Sequence, residues 1–122
     1  MRFAAALVAL ALVSGSVAAR AADVEAGKAI FDRTCNNCHS ADIGVNKIGP
    51  SLSHIIGRPS AAIQDYNYSA AMKKLHRTWT PAALDAYLAD PRSEIHGVAM
   101  YFRGLTDPKD RADVIAYLQS LQ

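Results

Sequence analysis

The sequence predicts an all-α fold, on three observations. Two stretches, one around residue 27 and one at the C-terminus, carry apolar residues three and four positions apart, the period of a helix with one buried face. Several stretches open on a residue type that caps helices, and two of these place proline directly behind the cap. No run alternates apolar and polar residues as a half-buried strand does, and no internal repeat occurs.

Asp23 is a fitting N-cap, with Glu25 placed favourably in the first turn. Gly27, Ile30 and Phe31 then mark one buried face. A helical glycine costs about 1 kcal/mol against alanine, so Gly27 predicts close approach of another backbone. This first helix runs into Cys35. From Ser40 to Tyr66 periodicity is absent, and Gly44, Gly49-Pro50 and Gly57-Arg58-Pro59 punctuate loop and turns. A loop this long is unusual in a compact domain unless a ligand or a function organises it. Ser69 caps a short helix expected to reach Leu75. Thr80-Pro81 opens a helix with Leu84, Tyr87 and Leu88 on one face, and Asp90-Pro91 ends it. A loop containing Gly97 and Gly104 follows. Asp107-Pro108 starts the last helix, where Val114, Ile115, Leu118 and Leu121 form an apolar stripe.

Residues 1–21 read as a cleavable secretory signal peptide, leaving a single domain over residues 22–122. Arg2 supplies a short positive start, and Phe3 to Val13 an apolar run of about eleven residues, too short to span a bilayer. Ala19-Arg20-Ala21 offers a cleavage site, and a cut after Ala19 is an alternative. Export past a bacterial inner membrane makes the periplasm the expected location. Losing Arg2 and Arg20 leaves eleven basic against eleven acidic residues, so the basic precursor does not argue for a nucleic-acid partner.

The chemistry is concentrated in Cys35-Asn36-Asn37-Cys38-His39. Two thiols followed at once by an imidazole form the signature of covalent haem c attachment. The thiols add across the haem vinyl groups, and the histidine meets the iron from one side. These are the only two cysteines, and His54, His76 and His96 are scattered singly, which does not suit a four-ligand structural zinc site. A thioredoxin-like pair and a plain disulfide remain open, although the segment before Cys35 reads as helix rather than strand. A second iron ligand must come from the three other histidines or from Met72 and Met100. Met72 falls in a short helix and reads first as packing, whereas Met100 lies in the irregular loop from Gly97.

An ordered series of motifs sharpens this. The chain resembles the class I c-type cytochromes, of the cytochrome c2 and mitochondrial cytochrome c type, in the run Asp23 to Phe31, the Cys35–His39 motif, Gly49-Pro50, Gly57-Arg58 and Tyr66 to Ser69. The likeness continues through Thr78-Trp79, Tyr87-Leu88 with Pro91, Gly97 to Gly104, and Ile115 to Leu118. It implies three main helices plus short helices and loops wrapped around one haem c, bound through thioethers to Cys35 and Cys38. His39 and Met100 would be the axial ligands. Pro50 would hold the free ring nitrogen of His39, and Arg58, Tyr68 and Trp79 would surround a propionate. Tyr87 would donate toward the Met100 sulfur, Phe102 would cover the haem edge, and Gly27 and Phe31 would meet Tyr117 and Leu118 at a helix crossing.

The implied function is one-electron transport by a monomer, without enzymatic turnover. The implied partners are bc1-type complexes, terminal oxidases or photosynthetic reaction centres. Three departures stand out. Met72 occupies a position where the family usually has Asn, Val98 and Ala99 replace a Thr and a Lys, and His96 replaces a proline. Together they predict a drier pocket on the Met100 side. The basic ring around the haem edge is reduced to a partial set of Lys28, Lys47, Lys73, Lys74, Arg92 and Arg103. A small haem peroxidase or gas sensor, and an exported thiol-redox protein, are the competing functions.

Overall fold

The structure is a computed structural model that describes residues 20–122. Nearly all of the expected signal peptide therefore lies outside the described residues. Five helices follow one another: α1 (Val24–Thr34), α2 (Ala70–Lys73), α3 (Pro81–Ala89), α4 (Pro91–Glu94) and α5 (Pro108–Gln119). Among the described residues there is no strand, only an isolated antiparallel bridge between Pro59 and Thr78. The all-α expectation holds, with α1, α3 and α5 as the main helices.

The caps fall where the sequence places them. The Asp23 carboxylate accepts from the N–H groups of Glu25 and Ala26, at 2.9 and 3.1 Å. Thr80 accepts from the Ala83 N–H, and Asp107 from that of Lys109. Each satisfies amide donors that the first turn of a helix leaves without partners. Ser69 caps α2 through the Met72 N–H, but α2 ends at Lys73 rather than Leu75. Asp90-Pro91 ends α3 as expected, and the same pair then starts the short helix α4, with the Asp90 carboxylate accepting from Ser93. The sequence predicts loop there. Proline after a capping aspartate both stops one helix and suits the first turn of the next.

Helix α1 packs chiefly on α5, and α3 packs on α5 and α4. Ile30 and Phe31 from α1 are buried against Val114, Ile115 and Leu118 of α5. The Phe31 and Tyr117 rings lie 5.3 Å apart in a tilted arrangement, worth about 1 kcal/mol beyond the buried area. The Gly27 expectation is borne out. A β-carbon there would fall 1.9 Å from the Asp113 carbonyl oxygen and 3.0 Å from the Tyr117 β-carbon. The stripe on α5 differs from expectation only at its end, since Leu121 lies past the helix and is half-buried.

Asp113 adds a polar lock at the same crossing. Its side chain is buried, and it accepts from the Asp23 N–H at 2.8 Å and from Lys109 Nζ at 2.6 Å. Lys109, and after it the Asp23 N–H, hold its carboxyl below the usual carboxylate range. A depressed folded-state value contributes stability that is present above the unfolded value, about 4, and is lost as pH falls through the folded one. Acidification is expected to destabilise the parent more steeply below about pH 4 than Asp113→Asn, which urea titrations across pH would measure.

Gly27→Ala provides the second test. Forcing a methyl group into the crossing costs about 3 kcal/mol, and the better helix propensity of alanine returns about 1 kcal/mol. A net loss of about 2 kcal/mol in denaturant unfolding is the expected outcome.

Candidate haem site

The end of α1 runs directly into the cysteine motif. The Cys35 and Asn36 N–H groups bond the Phe31 carbonyl, and the Cys38 and His39 N–H groups both bond the Cys35 carbonyl. The motif is thus a closed turn continuous with the helix. Both cysteines are free thiols, with Cys35 half-buried and Cys38 exposed. Burial pushes the Cys35 thiol up to about 11, with a smaller contribution from Cys38.

His39 is held from behind. Its Nδ1 lies 2.7 Å from the Pro50 carbonyl oxygen. A carbonyl can only accept, so Nδ1 carries the proton and Nε2 keeps its lone pair. Burial lowers the imidazole's affinity for a proton, and the Pro50 bond opposes that only in part. A neutral ring with a free Nε2 is the form that binds a metal. Gly49 makes this fit possible, because a β-carbon there would lie 2.3 to 2.8 Å from three atoms of the ring.

In front of His39 opens a cleft of about 500 Å³, within the range of cofactor sites. The expected residues converge on it: Cys35, Cys38 and His39 from one segment, Pro50 and Arg58 from the long loop, and Tyr68, Trp79, Tyr87, Met100 and Phe102 from the rest of the chain. Met72, Val98 and Ala99 line it too and add apolar surface there, whereas His96, the remaining departure, does not line it. His39 is the single histidine along it among the described residues.

The polar groups of the cleft are suited to a partner. The Tyr68 and Tyr87 hydroxyls and the Trp79 indole N–H make no hydrogen bond to another described residue, yet among the described residues no fully buried side-chain polar atom is left unpaired. These groups therefore reach the open space of the cleft. Trp79 and Tyr87 are mutually packed, with ring centroids 5.1 Å apart, and burial pushes the Tyr87 hydroxyl up to about 12. Arg58 spends two donor contacts on the Ser51 and Ser53 carbonyls, at 2.7 and 3.3 Å. A guanidinium has five N–H donors, so others remain for an anion. Free thiols in the attachment turn, a neutral imidazole with Nε2 available, and unpartnered donors in an apolar cleft together fit a haem. No cluster of three His, Cys, Asp or Glu side chains able to hold a bare ion exists among the described residues.

The Cytochrome c family profile matches residues 24–122. The chain belongs to the cytochrome c family. It is 46% identical over 99 residues to "Cytochrome c-type cyt cy" of Rhodobacter capsulatus, covering 81% of this chain but about half, 49%, of that longer protein. It is 43% identical over 96 residues to cytochrome c2 of Rhodopila globiformis, covering 79% of this chain and 91% of that one. Among solved structures, cytochrome cH from Methylobacterium extorquens superposes with a TM-score of 0.74 at 37% identity, over 80% of this chain and 98% of that one. The family carries haem c and transports electrons, so the class I fold and a non-enzymatic carrier are established for this member.

Two anchors of the site have little sequence signal. Arg111 reaches from α5 to Asp85 of α3 through Nε, at 2.7 Å, and to the Leu105 and Thr106 carbonyls through Nη1. Gly104, read only as a loop marker, has φ of +104°, and a β-carbon on it would lie 2.1 Å from the Ala89 carbonyl oxygen. Together they fasten the loop carrying Met100 to the end of α3. An arginine in the first turns of a helix carries no mark of such a role in the sequence.

Gly49→Ala isolates the packing behind the ring. The added methyl displaces His39 and breaks its bond to Pro50. The His39 Nδ1 proton in the holoprotein is then expected to exchange with solvent about tenfold faster, as loss of one hydrogen bond of about 1.4 kcal/mol implies. Nuclear magnetic resonance of the reduced protein measures this directly.

Proposed function

We propose that this cytochrome is a periplasmic one-electron shuttle for a single haem c, whose iron His39 and Met100 would ligate. The observation that carries the reading is the 2.7 Å contact of His39 Nδ1 with Pro50, which leaves Nε2 free beside both thiols and across a cleft that Met100 also lines. Haem c supplies a one-electron couple between ferrous and ferric iron. The residues do the rest. Cys35 and Cys38 anchor the group, and Pro50 fixes the tautomer and raises the basicity of His39. The Met100 thioether would favour the ferrous state. Arg58, Tyr68 and Trp79 would compensate a propionate that is costly to bury alone, while the Tyr87 hydroxyl would turn toward Met100 and Phe102 would keep water from the haem edge.

Met72, Val98 and Ala99 make the Met100 side drier than is usual in the family. The partners are membrane complexes of the bc1, oxidase or reaction-centre kind, met transiently after the signal peptide is removed; no helix among the described residues is long and apolar enough to cross a membrane. Any electrostatic steering comes from the partial basic set, in which Lys28 is paired with Asp32 at 2.6 Å while Lys47, bonded to Asn36, and Arg92, over the Tyr101 ring, keep their charge.

Two competing functions are disfavoured on specific grounds. A thioredoxin-like thiol oxidoreductase sets its Cys-x-x-Cys pair in a βαβ context, whereas here the pair continues α1 and no strand occurs among the described residues. A peroxidase needs an acid–base group above an open iron, and His54, His76 and His96 do not line the cleft. A pyridine haemochrome assay is expected to give one haem c per chain. The ferric thioether charge-transfer band should vanish in Met100→Ala and persist in Met72→Ala, and the reduced parent should resist carbon monoxide. Ready binding of carbon monoxide by the parent would instead favour the sensor or enzyme.

A further inference from the structure

The Pro50 carbonyl that holds His39 and the Ser51 N–H belong to one peptide unit, and the far side of that unit is also gripped. Asn46 Oδ1 accepts from the Ser51 N–H at 3.0 Å. The same side chain donates through Nδ2 to Asp65 Oδ1 at 3.3 Å. Both contacts require the same orientation of the Asn46 amide, oxygen toward the N–H and nitrogen toward the carboxylate. The result is a continuous chain of donors and acceptors: the Asp65 carboxylate, the Asn46 amide, the Pro50–Ser51 peptide and the His39 ring.

We propose that Asn46 is a positioning residue for His39, acting through the Pro50–Ser51 peptide to set the strength of the His39 hydrogen bond and thereby the reduction potential. This rests on His39 being an axial ligand. The physical argument has two parts. Fixing a peptide plane at its N–H fixes the direction of its C=O. A peptide whose N–H is engaged is also a better acceptor at its carbonyl, since hydrogen bonds in series polarise one another by about 10–30% per bond. A stronger acceptor at Pro50 draws the Nδ1 proton, makes the imidazole a better electron donor and favours ferric iron.

The neighbouring contacts make the grip specific. Ser51 Oγ donates to the Asp42 carbonyl at 2.6 Å, and the Gly49 N–H bonds the Cys38 carbonyl at 2.7 Å. These bonds hold the loop's path without touching the Pro50–Ser51 peptide hydrogen. Only Asn46 engages that hydrogen among the described residues. Asp65, an exposed carboxylate, orients the amide from the opposite end.

The test uses the holoprotein and Asn46→Leu, a close match in shape that removes both the acceptor and the donor. The ratio of ferrous to ferric protein at a fixed external poise is expected to rise about two- to threefold, from a hydrogen bond weakened by the fraction given above. The His39 Nδ1 proton in the reduced protein should move upfield and exchange faster. Asp65→Asn should shift the ratio in the same direction by a smaller factor, and that shift should disappear in the Asn46→Leu background. An Asp65 effect of equal size in both backgrounds would be through-space charge and would overturn the relay. Lower stability with an unchanged ratio and an unchanged Nδ1 signal would overturn it as well. Should Asn46→Leu not accumulate, Asn46→Ser, too short to span the gap, gives the same readouts. Ring-current-shifted His39 resonances in the parent report ligation independently, so failure of the axial assignment is seen before any variant is compared.

Discussion

The crossing of α1 and α5 is the constraint from which the rest of the molecule follows. A glycine at the contact lets two backbones approach until a single added carbon would collide with a carbonyl. That approach fixes the direction in which α1 delivers its C-terminal turn, and with it the thiols and His39. It also sets the depth at which Val114 and Leu118 of α5 enter the wall of the cleft. The buried Asp113 ties the start of α1 to the same place with a charged acceptor. The polar contact gives register where apolar packing alone would tolerate a slide. The long irregular loop then needs no regular structure of its own. Its amides bond back to Cys38, Ser40 and Trp79 at points determined by the two helices.

Much of this was legible because the signals are short-range. Capping residues act on amides two or three positions away, so Asp23, Thr80 and Asp107 could be read directly from the chain. The attachment motif is also local. Long-range contacts are a different matter. Asn46 sits 19 positions from Asp65 and Arg111 sits 26 from Asp85, and neither spacing has a pattern that betrays it. The start of α4 was missed for a local reason, since Asp-Pro is both a helix stop and a helix start. The family likeness supplied Met100 and the aromatic set, which periodicity could not. Gly104 stayed hidden because its role is set by a carbonyl of α3 rather than by its neighbours.

The cleft divides its labour by side. Behind His39 the surroundings are polar and densely bonded, with Ser51, Asn46 and Arg58 each fixing a named backbone group. Toward Met100 the lining is mostly apolar, and Met72, Val98 and Ala99 extend that character. A rigid, bonded side suits a ligand whose orientation and basicity must not drift. An apolar side suits a soft thioether that competes poorly with water. The rim is asymmetric as well. Ile48 and Tyr101 are exposed at the mouth, so the surface there offers apolar contact more than a field of like charge.

Gly104 has one further consequence, for chain length. The loop that carries Met100 returns to α3 at a point where the backbone passes against the Ala89 carbonyl and the Leu105 N–H bonds Leu88 at 2.7 Å. Its other end is fixed by α4. Between those two fixed points the residue count is a measuring rod. One residue gained or lost moves every following position by about 3.8 Å along the chain, enough to carry Met100 out of its place in the cleft wall. The span from Ile95 to Gly104 is therefore fixed in length.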